Sequence, residues 1–365
     1  MAVTWAEVIA RRLERSSLAP RTGNLVDTVS AVGGVQAQLQ SSAELQLASR
    51  VDGITQADVR AALWERRELV KAWTLRGTLH LHPAAELPFW HAARRAVAVD
   101  DQSLPAWRDP HGNDHPPLGA EQVAAVRVAV RDVLDGRCLL REEIVQEVVA
   151  RVGPEPRARL GSGFAFFLGD LCQGPPRGAK VTFARPDQWV DGWHEPDPPH
   201  ALREAARRFL HAYGPARPKD FLEWFGGSRA PFDEIEVDEV DVEGRTAFVL
   251  AGDTEFQPPS ESVRLLPEYD AYVMGFRDRD RLIPPAVRAQ VAEHGRGRYE
   301  GPAGVRFVLV DGVTAGTWSR AKRGKRFEIH VTPVRRLTKR QRDELQPEVA
   351  RIGAFLGLEP VLTVR

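Results

Sequence analysis

The chain alternates between stretches of helical periodicity and shorter stretches of strand alternation, in an order that repeats. Thr4-Trp5-Ala6-Glu7 has the form of a capping box and predicts a helix to about Arg15, with Val8 and Leu13 on its apolar face. A second helix is expected over 23–32, where Gly33-Gly34 break it and release the chain into Val35-Gln36-Ala37-Gln38-Leu39-Gln40. Thr55-Gln56-Ala57-Asp58 predicts another capped helix, to about Arg67, and 69–82 has the composition of a hairpin turning at Arg76-Gly77. In its second half Thr78, His80 and His82 alternate with Leu79 and Leu81, so a polar face is expected toward a groove or water. Helices followed by a hairpin is winged-helix order.

The order recurs. A linker rich in Pro, Gly and polar residues over 109–117 precedes helices expected at 119–134, 141–152 and 162–172, then strands at 181–184 and 188–190 around Arg185-Pro186-Asp187. Pro196 to Pro199 marks a further boundary, followed by helices at 201–213 and 218–224, the latter opening on Pro218. Strands are then expected at 246–251, 262–266, 272–276, 305–311, 313–319 and 327–332, with hairpin turns at Asp311-Gly312 and Arg323-Gly324 and a closing helix at 339–356. The fold class is α+β. Winged helices are assigned to 1–113 and 114–197, and a third, merged with a small antiparallel β-barrel, to 198–365.

Charge changes this picture only locally. Lys+Arg and Asp+Glu are both 50 in 365 residues, so the whole-molecule field does not attract a polyanion. Residues 233–243 carry seven acidic side chains, while 320–342 carries ten basic ones against Glu328 alone. The basic segment reads either as a phosphate tracker or as a solvated hairpin turn and helix start; Lys322, Arg323, Lys325 and Arg326, at the tip, are its candidates for phosphate contacts. No stretch has the length of a membrane span or the apolar core of a secretory signal, so a cytoplasmic location without a membrane partner is expected. Cys138 and Cys172 sit on apolar stretches read as helical, with no second ligand at metal spacing, and His80 and His82 share a strand face without an obvious third ligand. Neither a metal nor an organic cofactor is expected. There is no G-x-S-x-G and no phosphate-binding loop, which disfavours a serine nucleophile and nucleotide-dependent chemistry. Asp270 and Asp278 are the best acidic candidates for a general base, with turn chemistry and ion pairs to Arg277, Arg279 and Arg281 as the alternative.

Three stretches in this order, Val35-Gln-Ala-Gln-Leu39, Trp73-Thr-Leu-Arg-Gly-Thr-Leu-His80 and Leu265-Leu-Pro-Glu-Tyr-Asp-Ala-Tyr-Val-Met-Gly-Phe-Arg-Asp-Arg279, resemble the AlkZ/YcaQ family of bacterial DNA glycosylases over nearly the whole chain. The resemblance implies three tandem winged helices and a small β-barrel in a C-shape around DNA, with catalytic residues at Gln36 and Gln38. A glutamine rather than an acid at the second position resembles the AlkZ-like branch, associated with self-resistance to DNA-alkylating natural products and removal of interstrand crosslinks made through guanine N7. The expected partner is double-stranded DNA with alkylated purines. On the residues alone, Gln36, Gln38 and Gln40 equally form a polar stripe alternating with Ala37 and Leu39.

Two amides suit such a substrate. Guanine alkylated at N7 is already cationic and leaves as a neutral base without protonation, so the task is to place water near C1′ beside oxocarbenium-like charge. A Gln carbonyl oxygen can orient that water while its NH₂ anchors sugar or phosphate. Arg76, Thr78 and His80, on the first wing, are expected at phosphate or the minor groove. The rival readings are a non-enzymatic winged-helix protein, either a transcription regulator or a lesion-binding factor, and an enzyme with Asp270 or Asp278 as base. Three unequal modules in one chain favour a monomer over a symmetric dimeric regulator.

Overall fold

The computed structural model describes residues 1–98, 103–109, 111–163, 169–259, 261–275, 279–294, 304–323 and 326–364. They pack as two compact units, Ala61–Leu202 and a second built from Met1–Arg60 with Arg203–Arg365.

Within Ala61–Leu202, strands at Leu69–Trp73, Leu79–Pro83, Cys172–Arg177, Lys180–Ala184 and Leu139–Leu140 join in antiparallel ladders. Helices Ala120–Val133, Arg141–Val152 and Arg157–Ser162 precede the 172–184 hairpin, and the short strand 139–140 pairs with that hairpin's second strand. Val126, Val130, Ile144, Val148 and Leu160, from all three helices, meet Leu139 and Phe183 in one core. The helix at Arg141–Val152 falls where the apolar spacing puts it. Two expectations fail nearby: Cys172 lies on a strand, and Pro186–Trp189 is a helical turn with Pro186 in its first turn, where the missing N–H is harmless.

The other unit repeats that order. Helix Pro198–Tyr213 is followed by an isolated bridge at Ala216, helix Pro218–Phe225, a 3₁₀ turn at Phe232–Glu234 and the hairpin Val237–Val242 with Thr246–Leu250, and Ala216 pairs with Phe248 on the hairpin's second strand. The acidic 233–243 stretch thus builds a strand, which Ala2–Val3 extends in parallel.

The C-terminal sheet is an open half-barrel of five strands, Val263–Leu266, Phe307–Val310, Val313–Arg323, Arg326–Pro333 and Glu359–Val364. It is mixed rather than antiparallel, because the helix Lys339–Leu356 carries the chain back so that the last strand pairs in parallel with the fourth. Helix Trp5–Arg15, capped at Thr4 and Glu7 as the sequence predicts, lays Ile9 and Leu13 against Leu266, Tyr272 and Phe307. At Asp311-Gly312 both residues have positive φ, 51° and 79°, the backbone that a two-residue hairpin turn requires.

A Cβ on Gly312 would run into Ile9 Cγ2 and lie 2.9 Å from Leu13 Cδ1. Gly312→Ala combines that overpacking with a left-handed backbone and is expected to reduce unfolding free energy by about 2–4 kcal/mol. Urea denaturation midpoints test this; an unchanged midpoint would show that helix 5–15 is not seated on the turn.

Candidate active site

Gln36 ends a two-residue strand, Val35–Gln36, that follows the Gly33-Gly34 turn. Both glycines have positive φ, 65° and 107°, which lets the chain reverse out of helix Leu25–Ala31 without a Cβ penalty. Upstream, the buried Tyr213 hydroxyl donates to the Val32 carbonyl at 2.8 Å. Gln36 is only 8% exposed and its Oε1 is enclosed without a hydrogen-bond partner, whereas Gln38 is exposed. The two amides therefore do not form a uniform surface stripe.

Immediately downstream is a helix that the sequence reading does not contain, Gln40–Ala48. Its residues Ser42 to Ala48 are all buried, so its polar members need protein partners. Glu44 accepts from Gln56 Nε2 at 2.6 Å and Arg60 Nε at 3.0 Å. Ser42 Oγ donates to the Glu268 carbonyl. Gln46 Nε2 donates to the Gln36 carbonyl at 3.1 Å, and its Oε1 accepts from Ala271 N at 3.0 Å. One turn on, Arg50 forms a bidentate pair with Asp270 at 2.6 and 2.8 Å, both side chains fully buried, and donates to the Gln46 carbonyl at 3.0 Å. Two of the three family-like stretches, 35–39 and 265–275, are thus fastened together through one helix.

These contacts correct two expectations. The 272–276 region is a helix, Ala271–Gly275, whose first amides are met by Gln46 Oε1 and by Asp270 Oδ1, which accepts from Tyr272 N at 2.9 Å. Asp270 cannot serve as a general base, because both its oxygens are held by Arg50 and none of it reaches solvent. Asp278 lies outside the described residues.

Arg320 is a functional candidate missed in the sequence. It is half-buried on the long strand 313–323, and Nη2 donates to Ser41 Oγ at 3.4 Å. Burial, then Arg306, work against its charge, and Glu268 and Glu44 support it. Those carboxylates have other partners, Glu268 with Arg306 and Glu44 with Arg60, and no carboxylate among the described residues lies within ion-pair distance of Arg320. The neighbourhood retains one positive charge, three arginines against two glutamates. Further along, strands 313–323 and 326–333 pair as a hairpin up to Arg323 opposite Arg326, so Arg323 ends a strand rather than standing in the turn expected at Arg323-Gly324; Lys325 and the side chains of Lys322, Arg323 and Arg326 lie outside the described residues.

In the other unit, Arg76 sits at the turn between strands 69–73 and 79–83 with φ 54°, half-buried, and Thr78 Oγ1 donates to the Leu75 carbonyl at 3.0 Å. The polar face expected of this hairpin is inside: His80 is 2% exposed and His82 fully buried, hydrogen-bonded to Thr74 Oγ1 at 2.8 Å with its ring 5.0 Å from Trp90. Burial first, and Arg76 second, push His80 down to about 3, so the ring is neutral. Its Nδ1–H donates to the Thr78 carbonyl at 3.0 Å, leaving Nε2 to accept from Arg76 at 3.5 Å. A buried neutral imidazole does not meet DNA; it braces Arg76. Trp73 is core, ring to ring with Phe183 at 6.1 Å.

A family model described as DNA glycosylase AlkZ-like matches residues 29–355, most of the chain and both fastened stretches. The chain belongs to the AlkZ-like DNA glycosylases. It is 32% identical, over 356 residues and 91% of each sequence, to a protein of Streptomyces sahachiroi named interstrand DNA cross-link repair glycosylase. The solved structure of Streptomyces sahachiroi DNA glycosylase AlkZ is similar across the full length of both chains, with a TM-score of 0.80 and 28% identity. Membership makes this an enzyme acting on DNA and sets aside the non-enzymatic regulator. Among the described residues no helix is long and apolar enough to cross a membrane.

Arg50→Met strands a buried Asp270 charge and is expected to lower stability by about 3–5 kcal/mol in chemical denaturation; a change below 1 kcal/mol would mean that the pair is not buried as described. His80 is held below its unfolded value of 6.5, so its stabilising contribution is present above pH 6.5 and is lost as pH falls toward 3. Between pH 7 and 5 that is about 2 kcal/mol, and His80→Gln should lose correspondingly less stability over this interval. Equal losses in both proteins would contradict a neutral His80.

Proposed function

We propose that this AlkZ-like glycosylase hydrolyses the N-glycosidic bond of cationic N7-alkylguanine in duplex DNA, including guanines joined in interstrand crosslinks, with Gln36 and Gln38 as its catalytic residues. The observation that carries the reading is the Gln36 amide: a buried acceptor with no protein partner, on a segment fixed from both sides, with the exposed Gln38 two residues away. A water held between the Gln36 and Gln38 amides attacks C1′ as the neutral base departs with the C1′–N9 electron pair, and the water's proton is released to solvent. Because no acid assists departure, undamaged purines and neutral lesions are poor substrates. The name of the Streptomyces sahachiroi relative supports extension to crosslinks, and self-resistance to an alkylating natural product is the biological role this substrate suits.

DNA contacts in this reading come from Arg76, Thr78 and the basic hairpin Lys322, Arg323, Lys325 and Arg326, with Arg320, bonded to Ser41 three residues past Gln38, added as a phosphate contact. An unpaired, partly desolvated guanidinium gains most from an anion placed against it. The helix–strand–helix–hairpin order seen twice supports reading 114–197 and 198–365 as winged helices, and the proposal extends that reading to 1–113 and to a monomer.

On duplex oligonucleotide containing 7-methylguanine, the protein should yield abasic sites detectable by alkaline cleavage, with Gln36→Ala and Gln38→Ala each slower by roughly 100-fold. Release no faster than the spontaneous rate from every cationic lesion tried would overturn the proposal. Arg320→Gln should weaken DNA binding and reduce the slope of log K against log salt by about one; an unchanged slope would remove Arg320 from the interface.

A further inference from the structure

We propose that Gln46 is a positioning residue for the reaction, acting through Gln36, an inference that rests on the assignment of Gln36 above. Gln46 is fully buried on helix 40–48 and uses both ends of its amide across the site: Nε2 donates to the Gln36 carbonyl and Oε1 accepts from Ala271 N. No other residue type of that length is a neutral donor and acceptor at once. A hydrogen bond to the Gln36 carbonyl fixes the peptide plane joining Gln36 to Ala37. That plane sets the Cα–Cβ direction of Gln36 and, one peptide later, the course of the chain into Gln38.

The preceding Gly33-Gly34 pair supplies little restraint of its own, so the aim of the catalytic amides is imposed from below. Gln46 is itself rigid: its carbonyl is held by Arg50, which Asp270 holds in turn, and Asp270 and Ala271 are neighbours in sequence. The result is a closed ring of contacts from Gln46 to Ala271 and Asp270, then through Arg50 back to Gln46, and Gln36 is held to that ring through Gln46. Unlike Gln36, Gln46 has both amide atoms bonded to backbone groups and no exposed surface, which separates positioning from catalysis. A misplacement of about 1 Å in a preorganised site is enough to lose a factor of 100 in rate.

The test is Gln46→Met, which keeps length and apolar volume and removes both hydrogen bonds, measured on duplex DNA containing 7-methylguanine well below the variant's own melting temperature. The expected result is a fall in kcat of roughly 10–100-fold with KM and DNA Kd within about threefold of the parent. Added to Gln36→Ala, the same change should cost much less than it costs the parent, because its effect passes chiefly through Gln36. A kcat within threefold of the parent, or a loss that multiplies in full with that of Gln36→Ala, would overturn the inference. If Gln46→Met does not fold, Gln46→Leu, which likewise removes both hydrogen bonds without adding charge, is held to the same outcomes. Parent-like activity of Gln36→Ala alone would instead defeat the underlying assignment.

Discussion

Arg50 and Asp270 lie 220 residues apart, both fully buried, and joined by two hydrogen bonds of one planar fork. Two charges removed from water repay their desolvation only when geometry is close to ideal and the remaining donors and acceptors are satisfied. Here Gln46 O and Tyr272 N take further contacts, and Arg50 Nε alone of the pair's polar atoms is buried without a partner. The pair therefore accepts one register between helix 40–48 and segment 265–271, and a shift of either element would leave charge stranded. The placement of Gln36 follows from that register, because Gln46 reaches Gln36 and Ala271 with the same amide.

What the sequence made legible was decided locally. The capped helix from Trp5, the helix at Arg141–Val152 and the Asp311-Gly312 turn each carry their determinants within a few residues. Helix 40–48 was not legible, since Ser42, Glu44 and Gln46 alternate with Ala43, Leu45 and Leu47 at a strand's period, and the helix buries every side. At 271–275 the Tyr-Val-Met run has strand-like composition, but Asp270 and Gln46 satisfy its first amides and tip it into a helix. His80 and His82 alternate as a surface strand would, yet both are enclosed.

The site was legible only in part for the same reason. Gln36 and Gln38 stand out as a motif once the family-like stretches are seen together. Gln46, Arg50 and Arg320 do not, because their meaning lies in partners far along the chain. The one local sign was a short segment with three polar residues among aliphatic ones and no obvious reason to be exposed.

In the proposed reaction the two halves of the problem fall to different molecules: the lesion supplies a leaving group that needs no proton, and the protein positions a water. Neutral amides do not titrate, the base candidate Asp270 is sealed, and His80 is neutral throughout the working range. The most direct measurement is the single-turnover rate of 7-methylguanine release from duplex DNA between pH 6 and 9, corrected for spontaneous loss. A flat profile is the expected result. A limb rising or falling tenfold per pH unit within that range would reveal a titrating catalytic group and contradict catalysis by a glutamine-held water.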